Sequence, residues 1–190
     1  MSFNVKGSLR RIKPQRRTTG LRRRPDALLP FVSEKAAGGP ELLLDTCVYI
    51  DLLQRRAPQA VKNLLAARLS NHSGIALAEL THLFGRLDPR DDRTGSILSE
   101  IKGVISDLPR HRLRAPSVKV LGDAGILTGL AMRLARVEVG REQALLNDAA
   151  LYLQAIEQGE TVLTRNIREF DWFDQLLPND RVLFYRQEAG

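Results

Sequence analysis

Leu42, Leu43 and Leu44 form an unbroken apolar run behind the breaker Gly38-Gly39-Pro40, and the period changes at Asp45. A continuous apolar triplet suits a strand buried on both faces of a parallel sheet. Val48, Tyr49, Leu52 and Leu53 then recur at helical spacing, which predicts a strand, a junction at Asp45 and a helix to about Arg56. Pro58 suits the first turn of a second helix with Val61, Leu64, Leu65 and Leu69 as its stripe. Asn71-His72-Ser73-Gly74 reads as the stop of that helix. Ile75-Ala76-Leu77 is a short strand candidate and Leu80, Leu83 and Phe84 return to helix, so Glu79 falls at a second strand-to-helix junction.

Residues 94–108 carry a helical pattern of Ile97, Ile101, Val104, Ile105 and Leu108, stopped by Pro109. Arg112-Leu113-Arg114 reads as an edge strand, and Ser117 to Val137 as the longest helix. Gly122, Gly125 and Gly129 within that helix predict a close helix or subunit contact. Glu138 to Leu146 reads as a loop, and Asn147-Asp148 as the opening of a helix capped by Gly159. Thr161-Val162-Leu163 and Arg181 to Tyr185 are the last strands, separated by a polar and aromatic segment from Ile167 to Leu177. Strands alternating with helices over this length imply a parallel α/β fold.

Residues 1–40 show no sustained period and hold ten Lys and Arg against two acids, a balance of +8, so they read as a basic, flexible N-terminal arm before a domain at 41–190. The other 150 residues hold nineteen basic and twenty acidic groups, a balance of −1, so the overall +7 describes the arm. Such an arm suits sequence-blind contact with nucleic-acid phosphates, with Arg22, Arg23 and Arg24 its densest cluster; a solubilising extension and a transit peptide share the composition. No apolar run approaches the roughly 20 residues of a membrane span. The single Cys47 excludes an internal disulfide and a cysteine metal cluster, and a soluble cytoplasmic protein is expected.

Asp45, Glu79 and Asp148 are placed at junctions, and Thr164-Arg165-Asn166 at the end of a strand. Parallel strands bring their carboxyl ends to one edge of a sheet, where these groups can converge. Two carboxylates about 4 Å apart repel by roughly 4 kcal/mol at an effective dielectric of 20, so such a cluster raises its pKa values or holds a cation. Oxygen donors without His or Cys select Mg²⁺ or Mn²⁺, which suit phosphodiester hydrolysis.

The order Leu-Leu-Asp45-Thr46-x-Val-x-Ile-Asp, Ala78-Glu79-Leu80, Asn147-Asp148, and Leu163-Thr164-Arg165-Asn166 followed by Glu169-Phe170 resembles the PIN domain, and within it the VapC-type toxins of toxin-antitoxin pairs. The resemblance covers about residues 41–185. It implies a three-layer α/β sandwich with a central, mainly parallel sheet. It further implies a metal-dependent endoribonuclease in which Asp45, Glu79 and Asp148 bind Mg²⁺ or Mn²⁺, supported by Thr46, Thr164 and Asn166, with Arg165 on the RNA. A homodimer and an antitoxin partner follow from the same resemblance. Cys47 stands where the family usually has Asn, and Asn166 where many relatives have an acid, which points to one metal; Asp171 is a candidate substitute for the missing acid.

A non-catalytic PIN-fold module that binds RNA or protein is the alternative, and a DNA-directed nuclease a third reading. A dehalogenase-like phosphatase would need a second Asp two residues after the first, where Cys47 stands. Glycine loops that follow a strand and cradle phosphate are absent. His72, His82 and His111 pair with no nucleophile and read as surface or capping residues, and Trp172 and Phe173 as core rather than base-stacking residues.

Overall fold

The structure, a computed structural model, describes residues 3–33 and 38–188. Glu34 and Lys35, counted in the charge of the arm, lie outside them. Strand β1 (Leu42–Leu44) sits at the centre of a five-stranded sheet, flanked by β2 (Ser70–Ser73) and β4 (Thr161–Thr164), with β3 (Leu113–Arg114) and β5 (Val182–Phe184) at the edges. All pairings are parallel, with Leu44 level with His72 on one side and Leu163 on the other. Three consecutive leucines are tolerated because both faces of β1 are covered. Leu43 joins the core formed with α6 (Val118–Ala135), α7 (Glu142–Gln158) and α8 (Ile167–Leu176). Leu42 and Leu44 join the core formed with α2 (Thr46–Leu53), α3 (Gln59–Ala67), α4 (Gly74–Arg86) and α5 (Thr94–Ser106). The result is the three-layer α/β sandwich that the resemblance implies.

Three boundaries differ from the pattern reading. The polar stretch Ser70–Ser73, expected to stop a helix, is strand β2, while Ile75-Ala76-Leu77, expected to be a strand, lies in α4. Buried partners make a polar strand affordable: Asn71 Nδ2 donates to Glu41 Oε2 and Glu160 Oε1 (both 2.6 Å), and Ser73 Oγ donates to Gln154 Oε1 (2.7 Å). His72 Nδ1 lies 2.7 Å from the Tyr49 hydroxyl, so this histidine is buried rather than superficial. Residues 142–146, expected to be loop, form the first turns of α7, and the polar segment after Asn166 is the amphipathic helix α8. Phe173 on α8 is core, as expected, and Trp172 is nearly so, with Arg168 stacked on its ring.

The largest departure is the arm, which is docked rather than mobile. Val5–Ile12 form helix α1, opened by Asn4, whose Oδ1 accepts from the Gly7 N–H (2.9 Å). Ile12 enters the core beneath α6, while Arg11 and Lys119 pair with the buried Asp123 of α6. The Phe3 ring lies over Gly122, where a Cβ would fall 2.5 Å from a ring carbon, so that glycine makes room for a side chain of the arm and not for the helix or subunit contact that the sequence predicted. Gly125 and Gly129 face no described atom within 4 Å. Further along, the Arg24 guanidinium binds Asp171 (2.5 Å) and Asp174 (2.6 Å) on α8. The arm then runs beside β5: Phe184 N–H donates to Pro30 O (2.9 Å) and Val32 N–H to Phe184 O (2.8 Å), which covers the open edge of the sheet.

A docked strap contributes to stability and a mobile one does not. Ile12→Ala therefore lowers the unfolding free energy by about 2–4 kcal/mol in a urea titration; an unchanged midpoint would mean that α1 does not pack.

Candidate active site

The chain leaves β1 for β2 and β3 on one side and returns through β4 to β5 on the other, so the sheet reverses its winding between β1 and β4. In open α/β sheets a crevice forms outside the carboxyl ends of the strands at that point. Asp45 follows β1 there. It stands at the N-cap position of α2, yet its side chain bonds none of the helix amides as a cap would. Instead Asp45 Oδ2 accepts from Thr164 Oγ1 (2.5 Å), at the end of β4, and from Cys47 Sγ (3.0 Å). The carboxylate is thus buried and held by neighbours across the switch point.

Glu79 reaches the same crevice from the second turn of α4, not from a strand end. Ser73 at the end of β2 caps that helix through the Ile75 N–H (3.1 Å) and sets its direction. Glu79 Oε2 accepts from Thr46 Oγ1 (2.5 Å), and its Oε1 from Asn147 Nδ2 (2.7 Å). Asp148 follows Asn147 in the second turn of α7, not at the opening of the helix. Asn166 Nδ2 donates to Asp148 Oδ2 (2.9 Å), while the Asn166 N–H donates to Thr164 Oγ1 (2.9 Å). Thr164 and Asn166 therefore link Asp45 to Asp148, and Thr46 joins Asp45's own helix to Glu79.

Asp45, Glu79 and Asp148 line one cleft of about 700 Å³ together with Thr46, Cys47 and Asn166. Glu169 on α8 lines it as well and is buried, a fourth acid that the sequence reading noted only within a motif. Its spacing from Asn166, the residue before the helix and the third position within it, was the available signal. Asp171, the proposed substitute, turns away to Arg24, so Glu169 is the additional acid on this wall.

Electrostatics agree with the crowding. Burial raises the pKa of Asp45, with the charge of Glu79 adding to it against the hydrogen bonds from Cys47 and Thr164. Burial, then the charges of Asp45, Glu169 and Glu79, push Asp148 well above the ordinary carboxylate range. The Cys47 thiol is also raised, by burial and by Asp45, which keeps it a neutral donor.

Arginines rim these acids. Arg168 and Arg141 approach Glu169 at 2.7 and 3.5 Å, and Arg165 Nε binds Asp51 Oδ2 at 2.9 Å. Asp51 is fully buried and also accepts from the Tyr185 hydroxyl (2.8 Å) and Gln187 Nε2 (2.6 Å), so Arg165 is anchored at the cleft wall. Of the arginines expected to meet nucleic acid, Arg165 lines the cleft and Arg22, Arg23 and Arg24 do not. Arg24 is committed to Asp171 and Asp174, and Arg23 pairs with Asp26. Arg141 and Arg168 went unremarked in the sequence because nothing local distinguishes them from surface arginines.

Neither a protein-family model nor a curated protein sequence matches the chain. Solved structures do. A chain of VapBC2 from Rickettsia felis bound to a DNA fragment from its promoter superposes with a TM-score of 0.53 at 21% identity, covering 76% of this chain and 98% of that one. FitAcB from Neisseria gonorrhoeae gives 0.52 at 20% identity, with 76% and 96% covered. At these identities the likeness is one of fold, and it reaches nearly the whole length of each relative.

The donor set suits a hard divalent cation: carboxylate oxygens with no imidazole among them, two of which, on Asp45 and Asp148, are buried beyond what their hydrogen bonds compensate. Among the described residues no three Asp, Glu, His or Cys groups are drawn together as a ready ligand set. Asp45, Glu79 and Asp148 are each held by their own neutral donors, and Glu169 by Arg168 and Arg141.

Because the folded chain holds the Asp148 proton more tightly than the unfolded chain, the associated stability is complete at acid pH. It is lost as pH rises from the ordinary carboxylate range through the raised folded value. In chelator at neutral pH, Asp148→Asn should therefore raise the melting temperature by about 2–4 °C, equivalent to about 1 kcal/mol in a chain of this size. The gain should fade towards pH 4; a variant no more stable than wild type at neutral pH would contradict the repulsion.

Proposed function

We propose that this chain is a metal-dependent endoribonuclease of the VapC toxin type, hydrolysing RNA phosphodiester bonds. The observation that carries the reading is a single cleft at the switch point of the sheet in which under-compensated carboxylates are rimmed by arginines. A polyanion needs both: cations for its phosphates and acids for a metal. Asp45, Glu79 and Asp148 would hold Mg²⁺ or Mn²⁺, with Glu169 on the adjoining wall. When bound, such an ion supplies a water of lowered pKa and a counter-charge for the phosphoryl group.

The residues of the chain divide the remaining work. Thr164 and Cys47 fix the Asp45 carboxylate, Thr46 and Asn147 fix Glu79, and Asn166 fixes Asp148, which limits the reorganisation needed to ligate an ion. Arg165, anchored through Asp51, and the half-exposed Arg141 and Arg168 at the rim would bind the phosphates that flank the scissile bond. Asn166 supplies an amide and no charge, which favours one metal over two. The resemblance adds an antitoxin protein that closes the cleft, a homodimer, and a cytoplasmic site of action.

Purified chain should cut RNA with Mg²⁺ or Mn²⁺, and EDTA should stop it. Asp45→Asn should lower the rate at least about a hundredfold, since the loss of a ligand exceeds that of a supporting group. Cleavage that survives both EDTA and Asp45→Asn would refute the proposal. RNA binding without cleavage would mark a non-catalytic module, and equal cutting of DNA a less selective nuclease.

A further inference from the structure

Lys6 and Arg10 fall at i and i+4 on one stripe of α1, and Lys13 follows at its C-cap in the left-handed conformation. Arg16 continues the row in the short 3-10 turn Pro14–Arg16. The opposite face of α1 is the one that docks, through Ile12 and the Arg11 pair with Asp123. Among the described residues, Lys6, Arg10, Lys13 and Arg16 have no acidic partner and no side-chain hydrogen bond, in contrast to Arg11, Arg23 and Arg24. Arg10, Lys13 and Arg16, with Leu9 and Gln15, border a recess of about 440 Å³. Arg133 holds the turn beneath it by donating to Pro14 O (2.7 Å) and Arg17 O (3.1 Å).

Helix stability does not explain the row. Arg10 near the C-terminus of α1 favours the helix dipole, but Lys6 in the first turn opposes it, and like charges four residues apart are mutually unfavourable. Four cations on a docked scaffold without counter-ions form a fixed anion-binding face. We infer that this face is a second phosphate-binding surface that holds the sugar-phosphate backbone of RNA outside the catalytic cleft. The identity of the polyanion rests on the nuclease reading above. Docking matters because cations held by a packed helix lose less freedom on binding than the same cations on a loose tail.

The test uses full-length chain carrying Asp45→Asn, so that RNA is bound and not cut, with and without Arg10→Gln, Lys13→Gln and Arg16→Gln together. These side chains are exposed, and equal melting temperatures confirm that the fold is unchanged. Affinity for single-stranded RNA is measured between about 50 and 300 mM salt. The inference predicts a log–log salt slope shallower by about 2 in the triple variant, from roughly 0.7 per lost phosphate contact on a single strand, and binding weakened by roughly tenfold. Inorganic phosphate at matched ionic strength should compete no better than chloride. Equal slopes and affinities would overturn the inference while leaving the cleft reading intact. Specific competition by free phosphate would assign the recess to a small anion and also overturn it. If the Asp45→Asn parent fails to bind RNA at all, the nuclease reading fails first and the identity of the polyanion with it.

Discussion

Repulsion among carboxylates that the fold forces together governs how this molecule is built around its cleft. Asp45, Asp148 and Glu169 are drawn towards one crevice by β1, α7 and α8, and Glu79 is brought there by α4. The charge of Glu79 on Asp45, and those of Asp45, Glu169 and Glu79 on Asp148, raise the cost of ionising these two acids. The surrounding donors are the response: hydroxyls from Thr46 and Thr164, amides from Asn147 and Asn166, and the thiol of Cys47. None carries a formal positive charge. They orient Asp45, Glu79 and Asp148 and leave the cost of burying the Asp45 and Asp148 charges in place.

Positive charge is placed one step further out, in arginines that each pair with a buried acid. Arg11 and Arg24 are consumed by buried Asp123 and Asp171, so those pairs fasten the N-terminal strap to α6 and α8. Arg141, Arg165 and Arg168 remain half-exposed at the rim of the cleft. Cys47, where the family that the motifs resemble usually has Asn, fits the same scheme as a neutral donor: it bonds Asp45, and its sulfur accepts from the Arg165 N–H (3.4 Å). Asp51, six residues past Asp45 and within α2, anchors Arg165 at the wall of the cleft that Asp45 lines.

Legibility in the sequence followed the apolar periods. The leucine run of β1, the stripe of α6 and the C-cap at Gly159 were readable because burial and local backbone geometry agree there. Strand β2 was hidden because its polar side chains are satisfied by Glu41, Glu160, Gln154 and Tyr49, partners distant in sequence. The same misreading moved Glu79 to a strand end. The early start of α7 was masked by the polar residues Glu142 and Gln143. The docking of the arm was illegible for a related reason. Its anchors, Ile12, Leu29 and Phe31, are too sparse to form a period, and the acids that neutralise Arg11 and Arg24 lie more than a hundred residues away.

The measurement that bears most directly on the cleft is a titration of metal-free chain with Mn²⁺, followed by calorimetry and by loss of the free-ion electron paramagnetic resonance signal. The account predicts one ion per chain, release of protons on binding because the pKa values of Asp45 and Asp148 are raised, and loss of the site in Asp148→Asn. Absence of a bound ion, or binding that persists unchanged in that variant, would contradict it.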